Sequence, residues 1–388
     1  MGSGETMQQD GGGAEAEQLA GALLTIDLDA LAANWRALAA RAAEAECAAV
    51  VKADAYGIGI EPAVAALARA GCQTFFVAHP GEGVRARAVA PGATVYVLNG
   101  LPPGAAGAFV SAGLRPVLGA PAEVDEWCEF AATRGGPLPA AVHIDTGMNR
   151  LGLTLAEARV LAARRTEGPF FQIALVMSHL VAAEEADRPI NRLQIERFAA
   201  VRALFPRVPA SLCNSSGLFL PQSPCLDLVR PGYALYGGNP TPGQPNPMRP
   251  VIGLAARVIQ VREAAAGDTV GYNGRWAARA GCRIATISCG YADGIPRAAS
   301  GTDGRPAGLG GVALVNGQPC PFAGVISMDL ITVDVTDTPP GAVKVGDRVT
   351  LIGGPLDLET VAARAGTIGY EILTSLGRRY ARRYLGGA

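Results

Sequence analysis

The chain offers little to a metal ion. It has only three histidines, and none of its eight cysteines falls in a CxxC pair, so the clustered ligands of a structural zinc site are missing. Charge of one sign is also scarce. The formal net charge is −1, which gives no global field to draw in nucleic acid or an anionic membrane. No stretch approaches the roughly 20 apolar residues of a membrane-spanning helix. Residues 1–21 lack a basic start followed by an apolar run, so no secretion signal is expected there. This Gly-, Ala-, Glu- and Gln-rich segment reads as a mobile tail. Without such a signal, the sequon Asn214-Ser215-Ser216 is a chance match. An even cysteine count would permit disulfides, but cysteines scattered through a chain this long read as reduced core residues. The expected location is the cytoplasm.

What is present points to two domains. Hydrophobic residues make up 49% of the 388 and charged residues 17%, the balance of a globular protein. Leu28, Leu31, Trp35 and Leu38 recur at helical spacing. Short apolar runs follow at 48–51, 74–77, 94–98, 115–118, 140–144, 172–177, 210–213 and 227–229. Helical patterns such as 122–132, 155–164 and 190–204 lie between most of them. Eight strands alternating with helices predict either a closed (β/α)8 barrel or an open doubly wound sheet; about 210 residues suit the barrel. Prolines at 240, 242, 245, 247 and 250 then mark a linker. Beyond it, strand-like runs at 255–261, 283–287, 311–315, 331–335 and 348–352 predict a mainly β domain. A helix is expected at 358–365 and a basic helical end at 378–384. The predicted divisions are a tail at 1–21, a barrel at 22–245 and a β-domain at 246–388.

Lys52 falls at the C-terminal end of the first predicted barrel strand, the end at which barrel enzymes keep their active sites. A desolvated lysine there can lose its proton and form a Schiff base. The bland alternative is a lysine at an exposed strand end, paired to Asp54. The segment Lys52-Ala53-Asp54-Ala55-Tyr56-Gly57 resembles the cofactor-lysine signature of the alanine racemases. The resemblance continues in the family's order through Asp145-Thr146-Gly147-Met148-Asn149-Arg150-Leu151-Gly152, Met177-Ser178-His179, Asn214-Ser215-Ser216, Val229-Arg230-Pro231-Gly232, Val270-Gly271-Tyr272, Gly290-Tyr291-Ala292-Asp293-Gly294, Ser327-Met328-Asp329 and Gly369-Tyr370-Glu371. It spans most of the chain.

The resemblance implies a barrel with a C-terminal β-domain and pyridoxal 5′-phosphate as cofactor. It also implies interconversion of L- and D-alanine, which supplies D-alanine for peptidoglycan or degrades it. Lys52 would anchor the cofactor. Tyr56, Asn214, Ser215, Gly232, Tyr233 and Tyr370 would surround its phosphate, although Ser215 read alone could be a helix cap and either tyrosine plain packing. Arg230 would face the pyridine nitrogen, with His179 orienting it. Lys52 and Tyr272 would act as bases on opposite faces of Cα. A tyrosine ordinarily titrates near pH ~10, so a cationic neighbour would have to stabilise the phenolate. Arg150 and Met328 would meet the substrate carboxylate, and Tyr291 and Tyr370 would keep the pocket small. That small pocket favours alanine over a broader racemase substrate set. Tyr272 and Met328 would come from the partner of a homodimer. The chain departs from the pattern at one position: many family members carry a carbamylated lysine seven residues before Arg150, and here His143 stands there. A neutral imidazole or a bound anion such as chloride would have to brace Arg150.

Overall fold

A computed structural model of the protein describes residues 11–164 and 171–387. The chain divides into two compact units, one of Leu28–Arg249 and one formed by Pro250–Gly386 together with the residues up to Asp27.

The first unit is the barrel. Seven parallel strands run in sequence order: Ala49–Val50, Thr74–Val77, Thr94–Val97, Arg115–Leu118, Pro139–His143, Gln172–Met177 and Ala210–Ser211. The Leu228–Val229 strand closes the ring. Glu46 N–H donates to Asp227 O and Ala48 N–H to Val229 O on one flank, while Asp227 N–H donates to Ala210 O and Arg230 N–H to Cys213 O on the other. The open-sheet alternative is thereby excluded. Strand runs such as Phe75, Phe76 and Val77 are buried at every position, because a parallel sheet wrapped in helices has no wet face. The Leu28–Ala42 helix buries all four residues picked out by their spacing. Its Trp35 also donates Nε1–H to Cys47 O at 3.1 Å.

The second unit is mainly β. Its long strand Ile252–Ala264 alternates buried and half-buried residues over its first half, as a one-sided sheet requires. It pairs antiparallel with Cys282–Ile287 and with Arg348–Ile352. The expected helix at 358–365 is present as Leu358–Ala365, capped by the Asp357 carboxylate.

The structure differs from the sequence reading in three places. The barrel was expected to begin at residue 22, but Ala22–Asp27 pairs antiparallel with Ile252–Ala264 and parallel with Ala381–Leu385, so it belongs to the β unit. The basic helical end expected at 378–384 is that Ala381–Leu385 strand. Its arginines suit a sheet edge, where charge discourages further pairing. In the expected N-terminal tail, residues 1–10 lie outside the described residues, but Gly11–Leu19 is a helix. The Glu17 carbonyl in it accepts from Arg257 and Arg348, and the Glu17 carboxylate accepts from Arg383. Among the described residues, no helix is long and apolar enough to cross a membrane.

Candidate active site

Lys52 is placed by an unusual piece of backbone. The ladder of the first barrel strand continues one residue further, with Val51 N–H donating to Phe76 O. The chain then turns through Ala53, Asp54, Ala55 and Tyr56, all with φ between 52° and 55°. Each left-handed non-glycine residue costs about 1–2 kcal/mol, so the surroundings must over-determine this turn. One oxygen of Glu82 accepts from Ala53 N–H at 2.6 Å. The other accepts from Ala78 N–H at 2.9 Å and His79 N–H at 3.1 Å, at the head of the Pro80–Val89 helix. Asp54 accepts from Ile60 N–H at 3.1 Å and from Arg85 at 2.7 Å, and Arg85 is held in turn by Glu61. Burial, and then the charge of Arg150, pull the Lys52 ammonium below its ordinary range, while Glu82 opposes them.

Around this lysine the barrel mouth gathers cations and neutral imidazoles. Arg230 is buried. It donates to the Ser178 carbonyl at 2.6 Å and to the Ser211 hydroxyl, and its guanidinium carbon lies 5.9 Å from the centre of the Phe76 ring. Burial lowers it to about 10, which still leaves it cationic at neutral pH. His179 falls to about 3, through burial first and then through Arg230, Arg150, Lys52 and His143. His143 falls to about 4, through burial first and then Arg230, with Asp145 opposing. Both rings are therefore neutral at physiological pH. Asp145 shapes the loop that presents Arg150 by accepting from Gly147, Met148 and Asn149 N–H at 2.8–3.0 Å.

A second loop completes the mouth. The Ser215 hydroxyl oxygen accepts from Gly232 N–H at 2.9 Å and Ala234 N–H at 3.2 Å, which turns its own proton toward another acceptor. A Cβ on Gly232 would lie 2.5 Å from the Tyr56 hydroxyl oxygen, so glycine alone lets that hydroxyl close on the loop. Tyr56 stacks on Tyr236 with centroids 4.5 Å apart, and the Tyr236 hydroxyl donates to Val50 O. Asn214 serves the loop itself: its carbonyl accepts from Gly217 N–H at 2.9 Å. Tyr233 is buried beneath the loop.

The remaining predicted residues lie in the β unit. Tyr272, Tyr291 and Met328 hang on one segment, 324–328. The backbone of Gly271, just before Tyr272, lies close to Val325. Tyr291 N–H donates to Ser327 O, and Ala292 N–H donates to Met328 O. Tyr370 is carried by the Gly369–Thr374 helix. All four side chains are exposed, Tyr272 at 64%, Met328 at 53%, and Tyr291 and Tyr370 at 41%.

The sequence reading missed several contributors. Glu82, Arg85 and Ser211 hold the lysine turn and the arginine, and no spacing marks them; Ser178 lies in a matched segment but was given no role. One usable signal did exist: the chain contains only two lysines, Lys52 and Lys344, in a total of 33 basic residues. A guanidinium can replace an ammonium in most ion pairs but cannot form a Schiff base, so an isolated lysine in an arginine-rich chain singles itself out.

A desolvated lysine, a buried permanent cation with only neutral hydrogen-bond acceptors and a hydroxyl-lined loop at one barrel mouth suit an anionic carbonyl cofactor such as pyridoxal phosphate. These features define the class: a barrel enzyme of the lysine-anchored, pyridoxal-phosphate type. The chain matches the alanine racemase N-terminal domain over residues 26–240 and the alanine racemase C-terminal domain over residues 251–384. It is 58% identical to the alanine racemase of Methylobacterium nodulans over 95% of this chain and 97% of that one. It is 53% identical to the alanine racemase of Acidiphilium cryptum over 92% and 97%. The crystal structure of the Bartonella henselae alanine racemase, with covalently bound pyridoxal phosphate, superposes with a TM-score of 0.89 at 40% identity, covering 94% of this chain and all of that one. The chain belongs to the alanine racemase family.

Proposed function

We infer that the protein interconverts L- and D-alanine with pyridoxal phosphate held in the barrel mouth, and that its working form is a homodimer with shared sites. The observation that carries the reading is the desolvated Lys52 beside Arg150, in a mouth where burial and Arg230 keep His143 and His179 neutral. The bound cofactor supplies a carbonyl that links the substrate amine and a ring that acidifies its Cα–H.

The protein's own residues do the rest. Lys52 anchors the cofactor. Released from it, the lysine has an amine already biased toward the neutral, proton-accepting form and serves one face of Cα. Tyr272 serves the other, so a proton taken from one side is returned on the opposite side. Lys52 takes the proton from D-alanine and Tyr272 takes it from L-alanine. Arg230, permanently cationic, would face the pyridine nitrogen of the bound cofactor and keep a proton off it, favouring return of the proton to Cα. Ser215, the loop of Asn214, Gly232 and Tyr233, and the hydroxyls of Tyr56 and Tyr370 hold the phosphate. Arg150 and the Met328 backbone bind the substrate carboxylate, and Tyr291 and Tyr370 limit the side-chain pocket to a methyl group. The exposure of Tyr272, Met328, Tyr291 and Tyr370 on the lone chain supports their use in a site completed by a partner. A reducing compartment, the cytoplasm, suits eight free thiols.

The test is a chiral assay over a panel of amino acids, paired with borohydride reduction and peptide mapping. Alanine is expected to be racemised fastest and Lys52 to carry the reduced cofactor. Lys52→Ala is expected to lose both the activity and the covalent label. A label on Lys344, or a label retained in the Lys52→Ala protein, sinks the assignment.

A further inference from the structure

Directly behind the Ser215 loop lies a pair of thiols that racemisation does not use. Cys213, at the end of the strand that leads into Asn214 and Ser215, is buried, and Cys225, on the return loop, is half-buried. Both contact the hydroxyl of Ser223, Cys213 Sγ at 3.6 Å and Cys225 Sγ at 3.1 Å, so the two thiols flank one oxygen and each perturbs the other's titration. Ser223 is fixed by donating to Gly217 O at 2.9 Å. Arg41 adds a positive charge beside Cys225; it is held by the Leu218 carbonyl at 2.7 Å and lies over the Phe219 ring at 4.2 Å. The other buried cysteines lack this setting. Cys72 donates to Thr74 O, and Cys47 faces the Ala48 carbonyl and is pushed up to about 12 by burial.

We propose that Cys213 and Cys225 are a redox-modification site, a dithiol that a hydroperoxide converts to a disulfide whose closure displaces the Ser215 loop. Cys225 is the attacking sulfur, because it is the more exposed and because the neighbouring Cys213 thiol, and then the charge of Arg41, hold its thiol down toward the thiolate. The thiolate takes the terminal peroxide oxygen, the O–O bond breaks, and the alkoxide or hydroxide leaves with a solvent proton. Cys225 is then a sulfenic acid. Cys213 attacks that sulfur, the S–O bond breaks, and hydroxide departs as water with the Cys213 proton. Two thiols have lost two electrons and the peroxide has gained them.

Closure has a mechanical consequence. The sulfurs must draw together to about 2 Å, and Cys213 is two residues from Ser215, whose oxygen organises Gly232 and Ala234 N–H. Moving Cys213 therefore moves the hydroxyl. The effect on cofactor rests on the reading that this loop holds phosphate.

The experiment treats the cofactor-loaded enzyme with hydrogen peroxide. Non-reducing peptide mass mapping is expected to find Cys213 joined to Cys225, lighter by two hydrogen atoms. Cofactor retention on dialysis is expected to weaken roughly tenfold or more, the loss of one charge-assisted hydrogen bond. Activity is expected to fall with it, and a dithiol reductant to restore both. Cys225→Ser is expected to keep the untreated activity and to resist peroxide. The proposal is overturned by absence of the cross-link, by a cross-link with unchanged cofactor retention, or by equal peroxide loss in Cys225→Ser. A reduced protein that binds no pyridoxal phosphate overturns the functional reading instead, while the disulfide is still scored by mass.

Discussion

At the scale of single residues, the barrel mouth works by controlling which groups carry charge. Arg230 is the clearest case. Its partners Ser178 O and Ser211 Oγ are neutral, so its guanidinium keeps its full charge for whatever faces it. If Arg230 faces the pyridine nitrogen as inferred, replacing it by glutamate would invite a proton onto that nitrogen and deepen the electron sink. Arg230→Glu is accordingly expected to lose racemisation and to raise the rate at which alanine is converted to pyruvate with pyridoxamine phosphate formation. No rise over the native enzyme in a variant whose circular dichroism is intact would refute that account. His143 gives a prediction about acid. Its folded-state value of about 4 lies below the ordinary 6.5, so between those values the unfolded chain binds the proton more readily than the folded one. Stability from keeping this ring neutral is present above pH ~6.5 and is lost as pH falls toward ~4, up to roughly 3 kcal/mol. Denaturant titrations of His143→Gln are expected to show a shallower loss over that window than the native protein; parallel curves would mean that His143 is not the source.

At the scale of elements, the left-handed turn after Lys52 is the feature most dependent on its neighbours. Glu82 serves both as the cap of the Pro80–Val89 helix and as the acceptor for Ala53 N–H. Glu82→Ala leaves these N–H groups unpaired and is expected to cost roughly 2–4 kcal/mol and to weaken borohydride trapping at Lys52. Glu82→Gln, which retains one acceptor oxygen, is expected to fall between the two. Equal melting temperatures for all three proteins would show that the turn holds itself. None of this was legible beforehand, because a lysine followed by Ala-Asp-Ala-Tyr announces chemistry but not backbone conformation. The barrel strands were legible, since a parallel sheet covered on both faces writes each strand as an apolar run bounded by helical patterns. Ala22–Asp27 was assigned to the barrel only through the division at residue 22; no strand was read there, and its partners lie far along the chain at 252–264 and 381–385. Ala381–Leu385 was misread because arginine favours helices locally, a weak preference that sheet pairing overrode.

At the scale of the whole molecule, the residues with inferred roles are divided between the two units. Lys52, Arg150, Ser215 and Arg230 belong to the barrel unit; Tyr272, Tyr291, Met328 and Tyr370 belong to the β unit. If each site takes the two sets from different chains, Lys52→Ala and Tyr272→Phe proteins are expected to rescue each other. A heterodimer concentrates both defects in one site and leaves the other whole. Random pairing then returns about a quarter of native activity, provided that subunits exchange. Verified heterodimers with no recovered activity would place both sets in one chain. Which unit carries each set was legible from motif order, but the chain's route between the units was not.

That route has a consequence for how the protein is made. Ala22–Asp27 leaves the ribosome early, yet both of its sheet partners follow only after the whole of Leu28–Arg249. The barrel can gather its strands in the order of their synthesis, each beside the one just made, whereas Ala22–Asp27 must wait until the barrel residues have been made before Ile252–Ala264 gives it one neighbour, and until 381–385 before it gains the other. Until then that strand, with Leu24 and Ile26 destined for full burial, is an unpaired apolar edge of the kind that recruits other chains. A nascent chain thus carries this strand unpaired throughout synthesis of Leu28–Arg249, and one of its two edges stays open until 381–385 emerges.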